Sequence, residues 1–436
     1  MKPPIPPISL LTITSLLSLL PNPSQAVVKP GLQVLHEEFY TRLSNRKVLV
    51  LTNPTGVTPD MDLGVDVMFD SGLVDLVGVM GPEHGFRGTE QAGVPGETGV
   101  DERTGLVVYD AYLANTTTLM GFIRDSGADT VMFDIQDVGA RFYTYIWAMY
   151  DTMLASALTN TTFMVLDRPN PLSGTQAFGP VLNESFASYV GRRAIAQAHG
   201  MTAGELAGMF VGEGWIAEAT NGSELEVEVV RMEGWERGMR WADTGLPWVM
   251  PSPNMPTPDS AIVYPGTCMF EGTSMSEGRG TTRPFELIGA PFANETWTAA
   301  LRAQAIPHTT YRTACFNPTI SKFANETACG VQTYVSLPLS ASRSDHEEED
   351  AFDPVFMGLN MLWTAKRLFT NESSVGQGDG FNWLRSEEGR YTIDTLTGGT
   401  GVREGIEGGL EPGEIRERWE EGLKGFRDVR ERYLLY

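Results

Sequence analysis

Val74-Asp75-Leu76-Val77-Gly78-Val79-Met80-Gly81-Pro82-Glu83-His84-Gly85-Phe86-Arg87-Gly88 decides the reading of the fold. Its first seven residues are a short apolar, β-branched run bounded by turn formers, the pattern of a buried strand. The remainder is a polar loop at that strand's carboxyl end. In open α/β sheets ligands bind at this edge, where loops vary while the strands hold them rigid. Glu83, His84, Arg87 and Thr89 stand among three glycines and a proline, a density of polar groups that a core does not need. The plain alternative is a Gly-Pro turn with solvated side chains.

Working outward, the same pattern repeats. Lys47-Val48-Leu49-Val50-Leu51 predicts the first strand, ending in Thr52-Asn53-Pro54-Thr55-Gly56, and Val107-Val108-Tyr109 another. Thr130 to Phe133 runs into Asp134-Ile135-Gln136-Asp137-Val138-Gly139-Ala140-Arg141-Phe142-Tyr143-Thr144-Tyr145. Phe163-Met164-Val165-Leu166 runs into Asp167-Arg168-Pro169-Asn170-Pro171. Between them Ile146, Met149, Tyr150, Met153, Leu154 and Ala157 recur with helical spacing, and Leu32 to Leu43 suits an earlier helix. Strand, polar loop and helix in alternation predict an α/β fold with a parallel sheet and crossover helices. Its strand ends supply Glu83, His84, Arg87, Asp134, Gln136, Asp137, Arg141, Asp167, Arg168 and Asn170 as candidate cleft residues. Each also has a structural alternative, such as Asp134 capping a helix or Asp167 and Arg168 pairing to fix a loop. No Gly-x-Gly-x-x-Gly follows the first strand and no Walker-type lysine appears, which argues against a dinucleotide or ATP; no cofactor is expected.

Thr202 and Glu205 form a capping box, and Glu224 to Val230 alternates like a half-exposed strand. Gly245 to Pro258 is a proline-laden crossing whose fixed φ angles suit an interdomain passage. Beyond it, Glu271 to Glu286 combines small residues that let backbone approach a ligand with Glu277, Arg279 and Arg283 that could reach it. A flexible linker is the alternative there. An acidic segment from Asp345 to Asp350 reads as a solvated loop, Met357 to Leu368 as a helix, and Trp419, Leu423, Phe426, Val429 and Tyr433 mark a closing helix.

The 436 residues suffice for two or three domains, and 42% hydrophobic residues for a sizeable core. A net charge of -23 with no basic stripe argues against nucleic acid as a partner. Residues 1–26 have a signal-peptide pattern: Lys2, an apolar run from Ile8 to Leu20, Pro21, and Ser24-Gln25-Ala26 as a cleavage site. Export is therefore expected, with no membrane association after removal of that segment. Seven of the fifteen asparagines (115, 160, 183, 221, 294, 325 and 371) begin sequons, which points to a eukaryotic secretory route with N-glycosylation. Of three cysteines, Cys315 and Cys329 are the expected pair and Cys268 the buried thiol. Histidines at 36, 84, 199, 308 and 346 show no paired spacing, so a zinc site is not expected.

The blocks at 81–88, 134–145, 167–171, Pro-Ser-Pro-Asn-Met-Pro-Thr at 251–257 and Ser-Glu-Gly-Arg-Gly-Thr-Thr at 276–282, in this order, resemble the NamZ-type exo-β-N-acetylmuramidases. The likeness covers nearly all of the chain beyond the signal. It implies a Rossmann-like parallel-sheet domain, residues 27–258, followed by a smaller α/β (α+β) domain, residues 259–436, that contributes to the cleft. It also implies a glycosidase that releases N-acetylmuramic acid, or a related 2-acetamido sugar, from non-reducing ends of peptidoglycan-derived glycans. Glycoside hydrolysis needs one carboxyl group to protonate the leaving oxygen and a second carboxylate, or the substrate's 2-acetamido group, at the anomeric carbon. Glu83 is the leading acid; Asp137 and Glu277 are the candidates for the second carboxylate. His84, Arg87, Asp134, Gln136, Arg141, Tyr143, Tyr145, Asp167, Arg168, Asn170, Asn254, Arg279, Thr281 and Arg283 are the expected substrate-binding residues. Among them Arg141, Arg279 and Arg283 are candidates for the lactyl carboxylate that distinguishes muramyl sugars. Ser274, where bacterial members are expected to carry Asn, and the acidic segment near 345 depart from the family pattern and, with the sequons, suggest a eukaryotic relative such as a fungal one. A catalytically inactive carbohydrate-binding protein of the same fold is the alternative, and an ester or amide hydrolase is disfavoured by the lack of a Gly-x-Ser-x-Gly elbow.

Overall fold

The structure, a computed structural model, describes residues 27–88, 93, 96, 98–337, 352–370 and 380–436. The signal segment, Thr89 and Gln91 of the polar loop, the acidic segment 345–350 and the Asn371 sequon lie outside the described residues. In chain order the strands are β1 (Lys47–Thr52), β2 (Asp75–Gly81), β3 (Gly99–Val100), β4 (Val107–Asp110), β5 (Thr130–Asp134), β6 (Thr162–Leu166), β7 (Phe178–Val181), β8 (Ala196–Ala198) and β9 (Val227–Val230), then β10 (Leu287–Ala290), β11 (Thr309–Phe316) and β12 (Ala328–Val335).

Seven strands form one sheet in the order β3-β4-β2-β1-β5-β6-β9, parallel at every pair except β3 with β4. The chain moves from β1 through β2 to β4 on one side, then returns to β5 beside β1 and moves outward on the other. That reversal puts a crevice at the carboxyl edge beside β1. The periodicity of β1 explains why the sheet is covered on both faces. Leu49 and Leu51 join one buried cluster while Val48 and Val50 join the opposite one, as alternate residues of a strand must. A three-stranded antiparallel sheet, β10-β12-β11, builds the smaller domain, and the Cys315–Cys329 disulfide joins directly paired residues of β11 and β12. Cys268 is a free, buried thiol, as the cysteine pattern predicts.

Two elements differ from expectation. The helix expected over Leu32–Leu43 stops at Glu37, and Phe39 and Tyr40 turn left-handed at φ 52° and 56°. That turn buries Tyr40, whose hydroxyl lies 2.7 Å from His36 Nδ1. Of Glu224–Val230 only Val227–Val230 pairs, with β6. The capping box at Thr202 and Glu205 is present.

Candidate active site

The carboxyl end of β2 is bent by a turn closed by a hydrogen bond from Gly85 N to Pro82 O at 2.9 Å. Its third residue, His84, takes φ 73°. A β-turn of this hand requires positive φ there, and holding a residue with a Cβ in that region costs about 1–2 kcal/mol. Gly81 is needed beside it, because a Cβ at that position would lie 2.7 Å from Phe86 N. The turn presents Glu83, half-buried, at the edge of the sheet. Thr144 Oγ1 donates to Glu83 Oε2 at 2.9 Å and Gly93 N donates to Oε1 at 3.2 Å. Thr144 directly precedes the helix Tyr145–Thr159, so the start of that helix steadies the carboxylate.

Phenols surround this group. Burial, together with the nearby Glu83 charge, pushes the Tyr112 hydroxyl up to about 12. Burial likewise raises Tyr143, Tyr145 and Tyr189, so all four remain neutral near pH 7. Tyr145 donates to Pro251 O, which fastens the proline-rich crossing to the site, and lies 3.4 Å from Glu83 O.

Glu83 belongs to the walls of two cavities. The inner one, about 170 Å³, is bounded by His84, Tyr143 and Tyr145 from the first domain and by Tyr264, Glu271 and Arg279 from the second. Arg279 donates Nε and Nη2 to Glu271 Oε1 at 3.1 and 2.6 Å, and its Nε lies 3.5 Å from Glu277 Oε1. Burial works against its charge, but Glu271 and Glu277 outweigh that and hold the guanidinium protonated. The outer cavity, about 350 Å³, shares Glu83, Thr144, Tyr145 and Tyr189 with the inner one and continues to Tyr112, Asp151 and Arg192.

Of the residues expected at the site, Glu83, His84, Tyr143, Tyr145 and Arg279 are brought together. The others are not, each for a physical reason. Arg87 lies four residues from Glu83 but binds Asp101 through Nε and Nη2 at 2.6 and 2.8 Å and Asp66 at 3.0 Å, bracing the loop from outside. Asp134 and Arg168 form a buried pair at 2.6 Å, a structural role for both, though Asp134 caps no helix and Arg168 pairs with Asp134 rather than with Asp167. Gln136 donates to Asp137 O and Pro169 O, both at 2.7 Å. Asn170 bridges Met201 O and Leu172 N. Asp167 accepts from Thr202 Oγ1, Gly204 N and the Tyr436 hydroxyl, tying the first sheet to the final residues; burial pushes its carboxyl up to about 6 against those donors. Arg141 has no exposed surface and donates to the carbonyls of Pro180, Ile195 and Leu396, so it is not available to a substrate carboxylate.

Neither candidate for the second carboxylate lines the inner cavity. Asp137 accepts from Gly139 N at 2.7 Å and lies 3.2 Å from His199 Nε2. Glu277, 2% exposed, is held by Lys322 at 2.9 Å. A group reaching an anomeric carbon needs an oxygen facing the ligand, and these oxygens face the protein. Asn254 and Thr281 line a different groove with Phe316 and Asn317, and Arg283 is a surface group paired with Glu286 at 3.3 Å. The residue missed is Glu271, the second carboxylate of the inner cavity. Its available signal was its place at the head of the small-residue stretch, eight positions before the arginine that it binds.

The fold and the site define a two-domain α/β protein with a carboxylate at the carboxyl edge of its first sheet and a cavity completed by its second domain. Residues 48–259 match the family model for the exo-β-N-acetylmuramidase NamZ N-terminal domain, and residues 262–436 match that for its C-terminal domain. The chain belongs to this family, and is of its enzyme class, the glycosidases. It is similar to the peptidoglycan β-N-acetylmuramidase NamZ of Bacillus subtilis, with 38% identity over 98% of this chain and 96% of that protein. Two crystal structures of DUF1343 family proteins from Bacteroides fragilis share the fold, with TM-scores of 0.81 and 0.69 and identities of 30% and 28%; each alignment covers 94% of this chain and 99% of the other.

Proposed function

We propose that this protein is a secreted exo-β-N-acetylmuramidase that removes N-acetylmuramic acid, or a related 2-acetamido sugar, from non-reducing ends of peptidoglycan-derived glycans, with Glu83 as the general acid. The observation that carries this reading is the place of the Glu83 carboxylate, held by Thr144 and Gly93 where two cavities meet. There it can reach the oxygen between two sugars without moving the sheet. At the anomeric carbon the reaction needs a second carboxylate or the substrate's own 2-acetamido group. Glu271 is the carboxylate that lines the same cavity, in place of Asp137 or Glu277.

Export and N-glycosylation belong to the same reading. They rest on the signal pattern of residues 1–26 and on the exposure of all six sequon asparagines among the described residues.

Glu83→Gln keeps shape and removes the proton, so turnover of muramyl glycans is expected to fall about 10²–10⁴-fold. The loss should be smaller on a nitrophenyl muramide, whose good leaving group needs less protonation. Equal losses on both would assign Glu83 a nucleophilic or stabilising role instead. A wild-type protein that binds such glycans and releases nothing would support the inactive binding protein.

A further inference from the structure

A carboxyl group that protonates a glycosidic oxygen stands between the sugar being released and the sugar left behind. Glu83 divides two cavities, so assigning one assigns the other. The inner cavity reaches between the domains to the buried Tyr264 and Cys268, and to Arg279, a cation suited to an acidic sugar. The outer one opens among surface residues, including Leu113 at 59% and the exposed Asn115. An enzyme that removes a chain end takes that end inward, and the rest of the glycan must point outward.

We propose that the outer cavity is the binding site of the leaving sugar, a neutral 2-acetamido pyranose on the reducing side of the scissile bond. This rests on the reading of Glu83 given above. The wall carries the chemistry such a sugar requires. Tyr112 and Tyr189 meet edge to face at 6.0 Å, offering aromatic surface to pyranose C–H groups and hydroxyls to its oxygens. Arg192 Nη2 donates to Asp151 at 2.7 Å, and Nη1 of the same part-exposed guanidinium is not used in that bond and can donate to a sugar oxygen. Asp151 balances the charge of Arg192, so the site favours a neutral sugar over an acidic one. The rim continues onto Asn115 and Thr116, where a longer glycan would leave the enzyme.

The test uses two variants of the full chain. Arg192→Gln removes the donor, and Ala148→Leu fills the cavity from the helix Tyr145–Thr159 without altering a charge. Each is assayed on a muramyl-glucosaminyl disaccharide and on muramyl fluoride, whose leaving group fills no sugar-sized site. The expected loss of kcat/KM is at least about tenfold greater on the disaccharide than on the fluoride. Binding of free N-acetylglucosamine, followed by saturation-transfer NMR, should weaken in both variants. Equal losses on the two substrates, or unchanged N-acetylglucosamine binding, would overturn the assignment. A wild-type chain that hydrolyses neither substrate but binds N-acetylglucosamine in an Arg192-dependent way would keep this site and remove the catalytic reading.

Discussion

Arg279 commits Nε and Nη2 to Glu271, and Nη1 enters neither bond. With Arg141 enclosed by carbonyls and Arg283 at the surface, it is the arginine of the three that lines the inner cavity. Arg279→Gln is expected to lower kcat/KM on muramyl substrates about tenfold more than on glucosaminyl ones, the scale of one charge-assisted hydrogen bond. Equal losses on both would mean that Arg279 serves only to hold Glu271. The contrast between Glu83 and Arg87 shows how much of the site can be read from the chain alone. Both stand in one loop after one strand, and the pattern places both at a sheet edge. Arg87 is then captured by Asp101 and Asp66, 14 and 21 positions away, whereas Glu83 is met by Thr144, 61 positions away. Local pattern says which loops carry polar groups. Which groups are consumed by the protein depends on distant partners, and Asp134, Asp167, Asn170 and Glu277 are engaged by partners of that kind.

Elements were more legible, because each β-branched run between turn formers had to be buried on both faces of a parallel sheet. The break after Glu37 escaped detection, since the left-handed residues Phe39 and Tyr40 carry no glycine signal. Glycine packing between helices escaped too. The helices Pro258–Thr267 and Pro354–Phe369 touch backbone to backbone through Gly266 and Gly358: a Cβ on Gly358 would lie 2.4 Å from Gly266 backbone atoms. Gly358→Ala is therefore expected to destabilise by about 1–3 kcal/mol, the usual range for overpacking. Gly425→Ala, on the helix Pro412–Arg430 with nothing within 4 Å, should instead stabilise by up to about 1 kcal/mol. Thermal unfolding of the two variants checks both signs, and a stable Gly358→Ala would show that the helices can separate at little cost.

Across the whole molecule the two domains share one core: the cluster holding Leu49 and Phe133 continues through Tyr264, Met357 and Phe426. Arg427 and Arg430 of the closing helix donate to the carbonyls of Ala177 and Gly200, and the Tyr436 hydroxyl reaches Asp167 at 2.8 Å. The inner cavity lies within this continuous body. The position of Asn115 bears on the size of molecule the enzyme can process. Its side-chain oxygen caps the helix Thr116–Ser126 by accepting from Thr118 N at 2.9 Å, and its amide nitrogen is the atom to which a sequon glycan attaches. Capping and glycosylation use different atoms, so both can hold at once, and a glycan here would stand at the mouth of the outer cavity. It would act as a sieve, admitting soluble fragments while keeping the insoluble sacculus away. Thr117→Ala removes the sequon and leaves the cap. Secreted from a eukaryotic host, that variant is expected to digest sacculi faster than the parent at an equal rate on disaccharide, whereas equal rates on sacculi would mean that the glycan obstructs nothing.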